Sequence, residues 1–410
     1  MESRPPWIQA QDSWQSSIKT PLQPITSFSD KWQEDVPASI TEAKGCIAAL
    51  EAIRRWELAK KMVNPYEIVY THEDPLFHPS ISIIKPLSRS YFKMIEMLSV
   101  LQFFERLPKQ QPKVRTAHVA EGPGGFIQAV VDICERNRRI LENATAMTLK
   151  STEQHVPGWR RATAFLFHHR EVRLHYGEDN TGNVYHIPNQ DSFVRVVKPG
   201  AHLFTADGGF DFSVNYDFQE QNVFRLLVCS SIIGLKSLIQ DGCFVLKLFD
   251  IFSEHTKVLL GLLARCFKQW TLYKPALSRP CNSERYFLGR GYIQCKPSID
   301  ALVGINEALN KGNYPLLSEG LITVAAADYI ERHVATTTGL QVQAIKKAEE
   351  YANHPELWYT NQLPHDFVKS KTWCQQFRIP STQREPSPVA TLTPFSPVLV
   401  ADKLEKGADQ

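Results

Sequence analysis

The chain lacks most of the patterns that would settle its class early. Its eight cysteines (Cys46, Cys134, Cys229, Cys243, Cys266, Cys281, Cys295 and Cys374) form no CxxC pair and keep no Cys/His spacing of a zinc site, which argues against a structural metal module. Scattered in this way they read as buried thiols in a reducing compartment. No apolar run of about 18 residues occurs, so no membrane-spanning helix is expected. The opening Met1-Glu-Ser-Arg-Pro-Pro-Trp7 has no apolar h-region of a secretory signal. A soluble, intracellular protein is the expectation. There is no GxGxxG fingerprint and no GxxxxGK[ST] loop, and without the lysine that grips a β/γ-phosphate a P-loop NTPase is disfavoured. No internal repeat is visible. Charge of one sign is scarce too: 46 Lys and Arg against 43 Asp and Glu leave +3. That leaves room for a basic groove, but charge alone does not point to nucleic acid.

What the chain has is apolar residues, 43% of 410, enough for a sizeable core in one large domain with additions or in two domains. Residues 1–38, rich in Pro, Gln, Ser and Trp without a period, read as an irregular arm. From Ile40 to Met62 the pattern turns helical, with Ile47, Leu50, Ile53, Trp56 and Leu58 on one stripe. A second helix, Ser88–Phe104, follows Pro86. The strand Thr116–Ala120 runs into Glu121-Gly-Pro-Gly-Gly-Phe126 and an apolar helix to about Arg139. Thr145–Leu149 and Val172–Leu174 read as short strands, with an irregular insertion and a His-rich helix over 150–170. Past Pro199-Gly200 come a strand His202–Thr205, a helix Asp217–Ile239 that Asp217 can cap, and a turn at Asp241-Gly242. A buried strand Cys243–Leu248, a helix Glu254–Phe267 and strands Thr271–Tyr273 and Arg285–Gly289 follow. This alternation predicts an α/β fold, a mainly parallel sheet flanked by helices. Residues 300–378 read as helical, and 379–410, aperiodic in Pro, Thr, Ser and Lys, as a disordered tail.

Two features carry chemistry. The first is the loop Glu121, Gly122, Pro123, Gly124, Gly125 and Phe126 between strand and helix. Glycines there let the backbone turn sharply and let a ligand reach main-chain N–H groups at a helix N-terminus. In a parallel α/β sheet, nucleotide-like ligands sit at that end of the first strand. A tight turn with no ligand is the plainer alternative. The second feature is charge where strands end. Asp207 follows an apolar strand, Lys247 lies inside Phe-Val-Leu-Lys-Leu-Phe, Glu284 precedes Arg-Tyr-Phe-Leu, and Lys93 sits on a helix. Burying an unpaired ammonium is costly, so a lysine in such a strand is unusual. Taken singly, each has a bland reading: a snorkelling strand-end lysine, a turn-forming aspartate, a surface lysine. Their joint occurrence shifts the balance.

In that order and setting these residues resemble the Lys-Asp-Lys-Glu tetrad of FtsJ-type ribose 2′-O-methyltransferases, most closely the eukaryotic and viral enzymes acting on the mRNA cap. Asn64-Pro-Tyr-Glu67, Met147-Thr-Leu-Lys150, Tyr176-Gly-Glu-Asp-Asn-Thr-Gly-Asn183, Lys247-Leu-Phe-Asp-Ile-Phe252 and the run from Lys274 to Glu284 are also similar, so the resemblance covers about residues 45–295. It implies a Rossmann-like methyltransferase domain over 39–298, with its N-terminal helices in 39–105 and a helical extension over 299–378. It further implies Lys93, Asp207, Lys247 and Glu284 as catalytic residues, S-adenosyl-L-methionine held by the glycine loop with Asp179 and Asp207, and capped mRNA as substrate. Nuclear action is expected for a cellular protein, cytoplasmic for a viral one. Two departures stand out. His118 occupies a position that is acidic in many members, with Glu121 a substitute, and Asn183 replaces an acid, leaving Asp179 as the nearest carboxylate toward the cofactor.

Methyl transfer from a sulfonium to a ribose hydroxyl requires alignment and a base that is neutral near pH 7. Lys247 suits that role if burial and Lys93, as a second cation, depress its pKa. Asp207 would orient Lys247, and Glu284 would hold Lys93 or the acceptor ribose. No metal is required. Arg54, Arg55, Lys60 and Lys61, with Arg279 and Arg285 around Glu284, are candidates for an RNA-facing basic surface, or the first four for a solvated helix face. Other readings are an enzyme for an internal ribose of ribosomal or transfer RNA and a silent RNA-binding subunit. A dehydrogenase would need GxGxxG and an acid where Lys150 stands.

Overall fold

The computed structural model describes residues 7–9, 27–29, 36–71, 80–108, 110, 112–150, 156, 158–209, 219–316, 322–354 and 367–382. Seven strands, β1 (Lys113–Val119), β2 (Ile140–Met147), β3 (Val172–His175), β4 (Ala201–Ala206), β5 (Leu238–Leu248), β6 (Phe267–Tyr273) and β7 (Arg285–Tyr292), make one sheet in the order β3-β2-β1-β4-β5-β7-β6. A two-residue strand, Ile8–Gln9, adds antiparallel to β6. The first five strands pair parallel, while β7 runs antiparallel to β5 and β6. The expected mainly parallel sheet is what forms. Every residue of β4 and β7 is buried, as strands covered on both faces must be.

The reversal of β7 matters for function. Parallel strands β1, β4 and β5 deliver their carboxyl ends to one edge of the sheet. An antiparallel neighbour brings its amino end to that same edge, so Glu284, just before β7, joins Asp207 and Lys247 there. One face of the sheet packs on helices Gln219–Ser237, Glu254–Ala264 and Lys296–Asn310. The other packs on Ser90–Leu101, Gly125–Arg136 and the C-terminal helix Phe367–Gln376, through residues such as Phe92, Phe126 and Trp373. A third cluster joins Ile40, Leu50 and Trp56 of the N-terminal helices to Ile345, Ala348 and Tyr351 of the long helix Val324–Asn353.

Several elements differ from the sequence pattern. The single helix expected over Ile40–Met62 is three short ones, Ala38–Lys44, Ile47–Ala52 and Trp56–Met62. A left-handed Arg54 (φ 55°) re-phases the stripe, so Ile53 is left 54% exposed. The second helix stops at Leu101, because Gln102 turns left-handed. Asp241-Gly242 does not separate a helix from a strand: β5 runs from Leu238 through it, with Asp241 at φ 64° and a register shift opposite β4. The helix Ile187–Val197, opened by Pro188, was not expected. Asp217, proposed as a cap, and most of the arm and tail (1–38, 379–410) lie outside the described residues. The C-terminal extension is helical over Lys296–Asn310, Val324–Asn353 and Phe367–Gln376, and Tyr314–Leu316 pairs as a strand with Ser27–Ser29. No cysteine is in a disulfide, and all but Cys46 are buried. Among the described residues no helix is long and apolar enough to cross a membrane.

Candidate active site

The four charged residues meet. Lys93 Nζ donates to both carboxylate oxygens of Glu284, at 2.6 and 2.8 Å. Ser278 Oγ donates to the same carboxylate at 2.8 Å, and the Tyr286 hydroxyl reaches it at 2.6 Å. That hydroxyl also lies 3.0 Å from Asp207 Oδ1. Lys247 Nζ stands 3.5 Å from the same Asp207 oxygen and donates to the Asp207 carbonyl at 3.3 Å. The result is one continuous chain of polar contacts: Lys93, Glu284, Tyr286, Asp207, Lys247. Sequence reasoning missed Tyr286. Its signal was the spacing from Glu284, since residues two apart on an extended segment share a face, and register places it directly opposite Lys247.

The electrostatics correct one expectation. Burial pulls the Lys247 amine down, but Asp207 and Glu284 outweigh it and hold the pKa above the ordinary lysine value. The supposed second cation is spoken for, because Lys93 is bonded to Glu284. Burial pushes the Glu284 carboxyl up, yet Lys93 and Lys247 bring it far below the usual carboxylate range. For Asp207 burial prevails over Lys247 and Lys93, and its pKa is raised. The depressed lysine is Lys274, lowered by burial to about 7 beside Arg285 and Lys93. Its amine donates to the carbonyls of Asn282 and Glu284, at 2.6 and 3.0 Å.

Lys93, Asp207, Lys247 and Glu284 line a cavity of ≈ 1050 Å³ at the carboxyl edge of the sheet. Ala120, Gly122 and Pro123 contribute to its wall, as do Thr148, Leu149, Asn183, Val184 and Gly208. From the segment before β1, Lys44, Trp56, Lys60, Ser88, Arg89 and Lys93 close it. A model of the FtsJ-like methyltransferase family matches residues 86–292. The chain belongs to that family.

Among curated relatives, the cap-specific mRNA (nucleoside-2'-O-)-methyltransferase 1 of Drosophila melanogaster is 37% identical over 276 residues, 64% of this chain and 32% of that protein. The Homo sapiens protein of the same name is 27% identical over 355 residues, 79% of this chain and 40% of that one. The Trypanosoma cruzi protein is 28% identical over 254 residues, 59% and 68% of the two. The chain spans about a third of the length of the first of these relatives. Among solved structures, the CMeT domain of citrinin polyketide synthase aligns with a TM-score of 0.34 at 14% identity over 66% of this chain and 84% of that one, a likeness too loose to inform function.

Within this FtsJ-like framework the glycine loop answers first to packing. A Cβ on Gly122 would fall 2.4 Å from the Gly158 carbonyl oxygen, and one on Gly125 would fall 2.3 Å from the Ser88 and Ser90 hydroxyls. Gly124 sits at φ 105° as the N-cap of Gly125–Arg136. Only Gly122 and Pro123 of the six loop residues line the cavity. Phe126 is buried with its ring 6.0 Å from that of Tyr286. Glu121 points into the sheet instead of the cavity: it accepts from Thr205 Oγ1 and lies 3.3 Å from His118 Nδ1. Gly124→Asp is therefore expected to cost roughly 1–2 kcal/mol of backbone strain as well as S-adenosylmethionine binding. Thermal melts with calorimetry test both, and unchanged binding would make the loop a turn only.

Asp179 also departs from its expected place. Its carboxylate accepts from Thr181 N (2.9 Å), Thr181 Oγ1 (2.7 Å), His186 Nδ1 (2.6 Å) and Asn189 Nδ2 (2.8 Å), bonds that hold its pKa far below the usual value. It braces the loop that brings Gly182, Asn183 and Val184 to the cavity wall, and itself borders a separate shallow groove beside Ile187 and Pro188. Asn183, the position that lacks an acid, is the one on the wall.

Glu67, outside the matched span, gathers Asn64, Arg89 and Arg279 behind the cavity wall to which Arg89 belongs. It is fully buried and accepts from Asn64 Nδ2 (2.7 Å), Arg89 (3.2 Å) and Arg279 (2.9 and 3.2 Å). Burial raises its carboxyl, but Arg89 and Arg279 win and bring it from the usual 4.5 to about 2. A depressed carboxylate contributes stability that is complete above its unfolded pKa and lost as pH falls through the folded one. Between pH 4.5 and about 2, melting temperature should fall more steeply for the native chain than for Glu67→Gln; parallel profiles would contradict this. The same contacts correct the basic surface expected from sequence. Arg279 is committed to Glu67, Arg285 is buried against Ser283 O and Thr337 Oγ1, and Arg55 donates to Ala352 O. Of that set only Lys60 lines the cavity, paired with Glu57.

Proposed function

We propose that the chain transfers the methyl group of S-adenosylmethionine to a ribose 2′-hydroxyl in the cap region of mRNA, acting in the nucleus of a eukaryotic cell. The observation that carries this reading is the continuous tetrad of Lys93, Glu284, Asp207 and Lys247 on the cavity wall. The cap-directed names of the relatives support the substrate. The cavity suits the cofactor: Gly122 and Pro123 bring the loop to its wall, Leu149, Val184 and Leu226 give apolar walls, and Asp207 offers a carboxylate to a cationic ligand. Bound there, the cofactor supplies an electrophilic methyl on a sulfonium.

The chain's own residues do the rest. Lys247 takes the hydroxyl proton as it is displaced, and Asp207 stabilises the lysinium so formed. Glu284, oriented by Ser278 and Tyr286, fixes Lys93 toward the acceptor ribose. Because the base must be neutral and the resting amine is held above the ordinary value, kcat/KM should climb with pH into the alkaline range. Asp207→Asn removes the leading carboxylate, so the limb should move to lower pH even as the maximum falls. A limb that stays in place would remove Lys247 from the rate law.

The substrate is tested by competition between 7-methylguanosine-capped and triphosphate-ended RNAs of one sequence. Preferential methylation of the capped RNA is expected. Equal methylation would favour an internal ribose.

A further inference from the structure

The His-rich insertion is not absorbed by that account. Four of the six residues of its helix Thr163–His168 (Thr-Ala-Phe-Leu-Phe-His) are apolar: Phe165 and Leu166 are half-buried against the cluster of Ile127, Val131 and Trp159, while Ala164 and Phe167 are exposed. Phe167 is 63% exposed, with the Arg170 guanidinium 4.8 Å from its ring centre. Residues 159–173 carry four arginines against one glutamate, matching the net charge of the entire chain. Arg161, Arg170 and Arg173 are exposed, and no ion pair among the described residues engages them. The patch is not remote from the cavity. Val156 lines it, Gly158 touches Gly122, and Trp159 packs against Gly124. The charge of Arg161 acts on the Tyr70 hydroxyl, and Tyr70 O accepts from Arg89, which lines the cavity.

Phe167 is the large apolar side chain that this helix leaves to water, and it stands beside an arginine. Exposed cations around an exposed aromatic ring are what a single strand of nucleic acid needs: phosphates pair with the arginines and a base stacks on the ring. We infer that Phe167, Arg161, Arg170 and Arg173 form a docking surface for single-stranded RNA, holding nucleotides beyond the one being methylated. The inference rests on the RNA reading above. A minimal capped fragment would bind without this surface, and a longer transcript would use it.

The test is fluorescence anisotropy with the full chain, comparing a capped RNA of about twelve nucleotides with a capped dinucleotide. Phe167→Ala should weaken binding of the longer RNA by about fivefold or more, the loss of one stacked base. Arg161→Glu with Arg170→Glu should reduce the salt slope by about 1.4, at about 0.7 per phosphate contact. Affinity for the dinucleotide and for S-adenosylmethionine should stay unchanged in both variants, which reports an intact fold. Unchanged affinity for the longer RNA would assign the patch to some other partner and overturn the inference, as would equal losses for both lengths. Binding needs no turnover, so the two readings separate. A chain that binds the longer RNA through this patch but methylates nothing would defeat the proposed activity alone.

Discussion

Lys247→Ala is expected to abolish methyl transfer while leaving S-adenosylmethionine affinity nearly intact. Removing a general base costs about 10²- to 10⁴-fold. The native Lys247 side chain is 18% exposed, with Asp207 as its ion-pair partner, so alanine leaves a cavity-facing gap and not a collapsed core. Lys247→Arg should do almost as badly, because a guanidinium keeps its charge and cannot accept the proton. The pair of variants separates charge from basicity: arginine preserves the ion pair with Asp207 and loses only the base. Single-turnover kinetics with calorimetry of the cofactor are the measurements, and substantial turnover in either variant would rule the role out.

Glu284→Gln is the second large effect, and it acts on stability and catalysis together. The carboxylate accepts from Lys93, Ser278 and Tyr286 and is almost wholly buried. Removing one partner of such a pair leaves an uncompensated ammonium, with a typical cost of about 3–5 kcal/mol. The amide keeps an acceptor for Ser278 or Tyr286, but not the charge that holds Lys93. Unfolding in urea should therefore shift to a markedly lower midpoint, and turnover should fall by orders of magnitude. Pairing Glu284→Leu with Lys93→Met tests the assignment: stability should largely recover, since no charge remains buried alone, while activity should not. Recovery of neither would mean that the pair is not the principal contact at this place.

Charge at the end of an apolar strand contradicts its surroundings, which marked Asp207 and Lys247 in sequence; only the family resemblance joined Lys93 and Glu284 to them as a tetrad. Asp207 after Ala201–Ala206 and Lys247 inside β5 stand out against residues that are otherwise buried. Tyr286 did not stand out, since a tyrosine in an apolar strand is ordinary and only the β5–β7 register puts it opposite Lys247. The direction of the Lys247 shift was not legible either. It depends on which carboxylate takes which lysine, and Lys93 goes to Glu284. Composition marked the glycine loop but not its orientation, so Glu121 and Gly122, adjacent in sequence, end on opposite sides, one in the sheet and one on the cavity wall. Arg279 and Arg285 looked equivalent around Glu284, yet a buried Glu67 and a buried strand start claim them. Long-range partners were invisible for the same reason: Trp373 Nε1 donates at 3.0 Å to Glu96, one turn along the helix from Lys93, and ties the C-terminal helix to the back of the site.

The central claim concerns where a methyl group lands. Incubating the chain with isotopically labelled S-adenosylmethionine and 7-methylguanosine-capped RNA, then digesting to nucleosides for mass spectrometry, reads this directly. The account calls for label on the 2′-oxygen of a cap-proximal ribose, absent with Lys247→Ala. Label on a base, or only on riboses far from the cap, would contradict it.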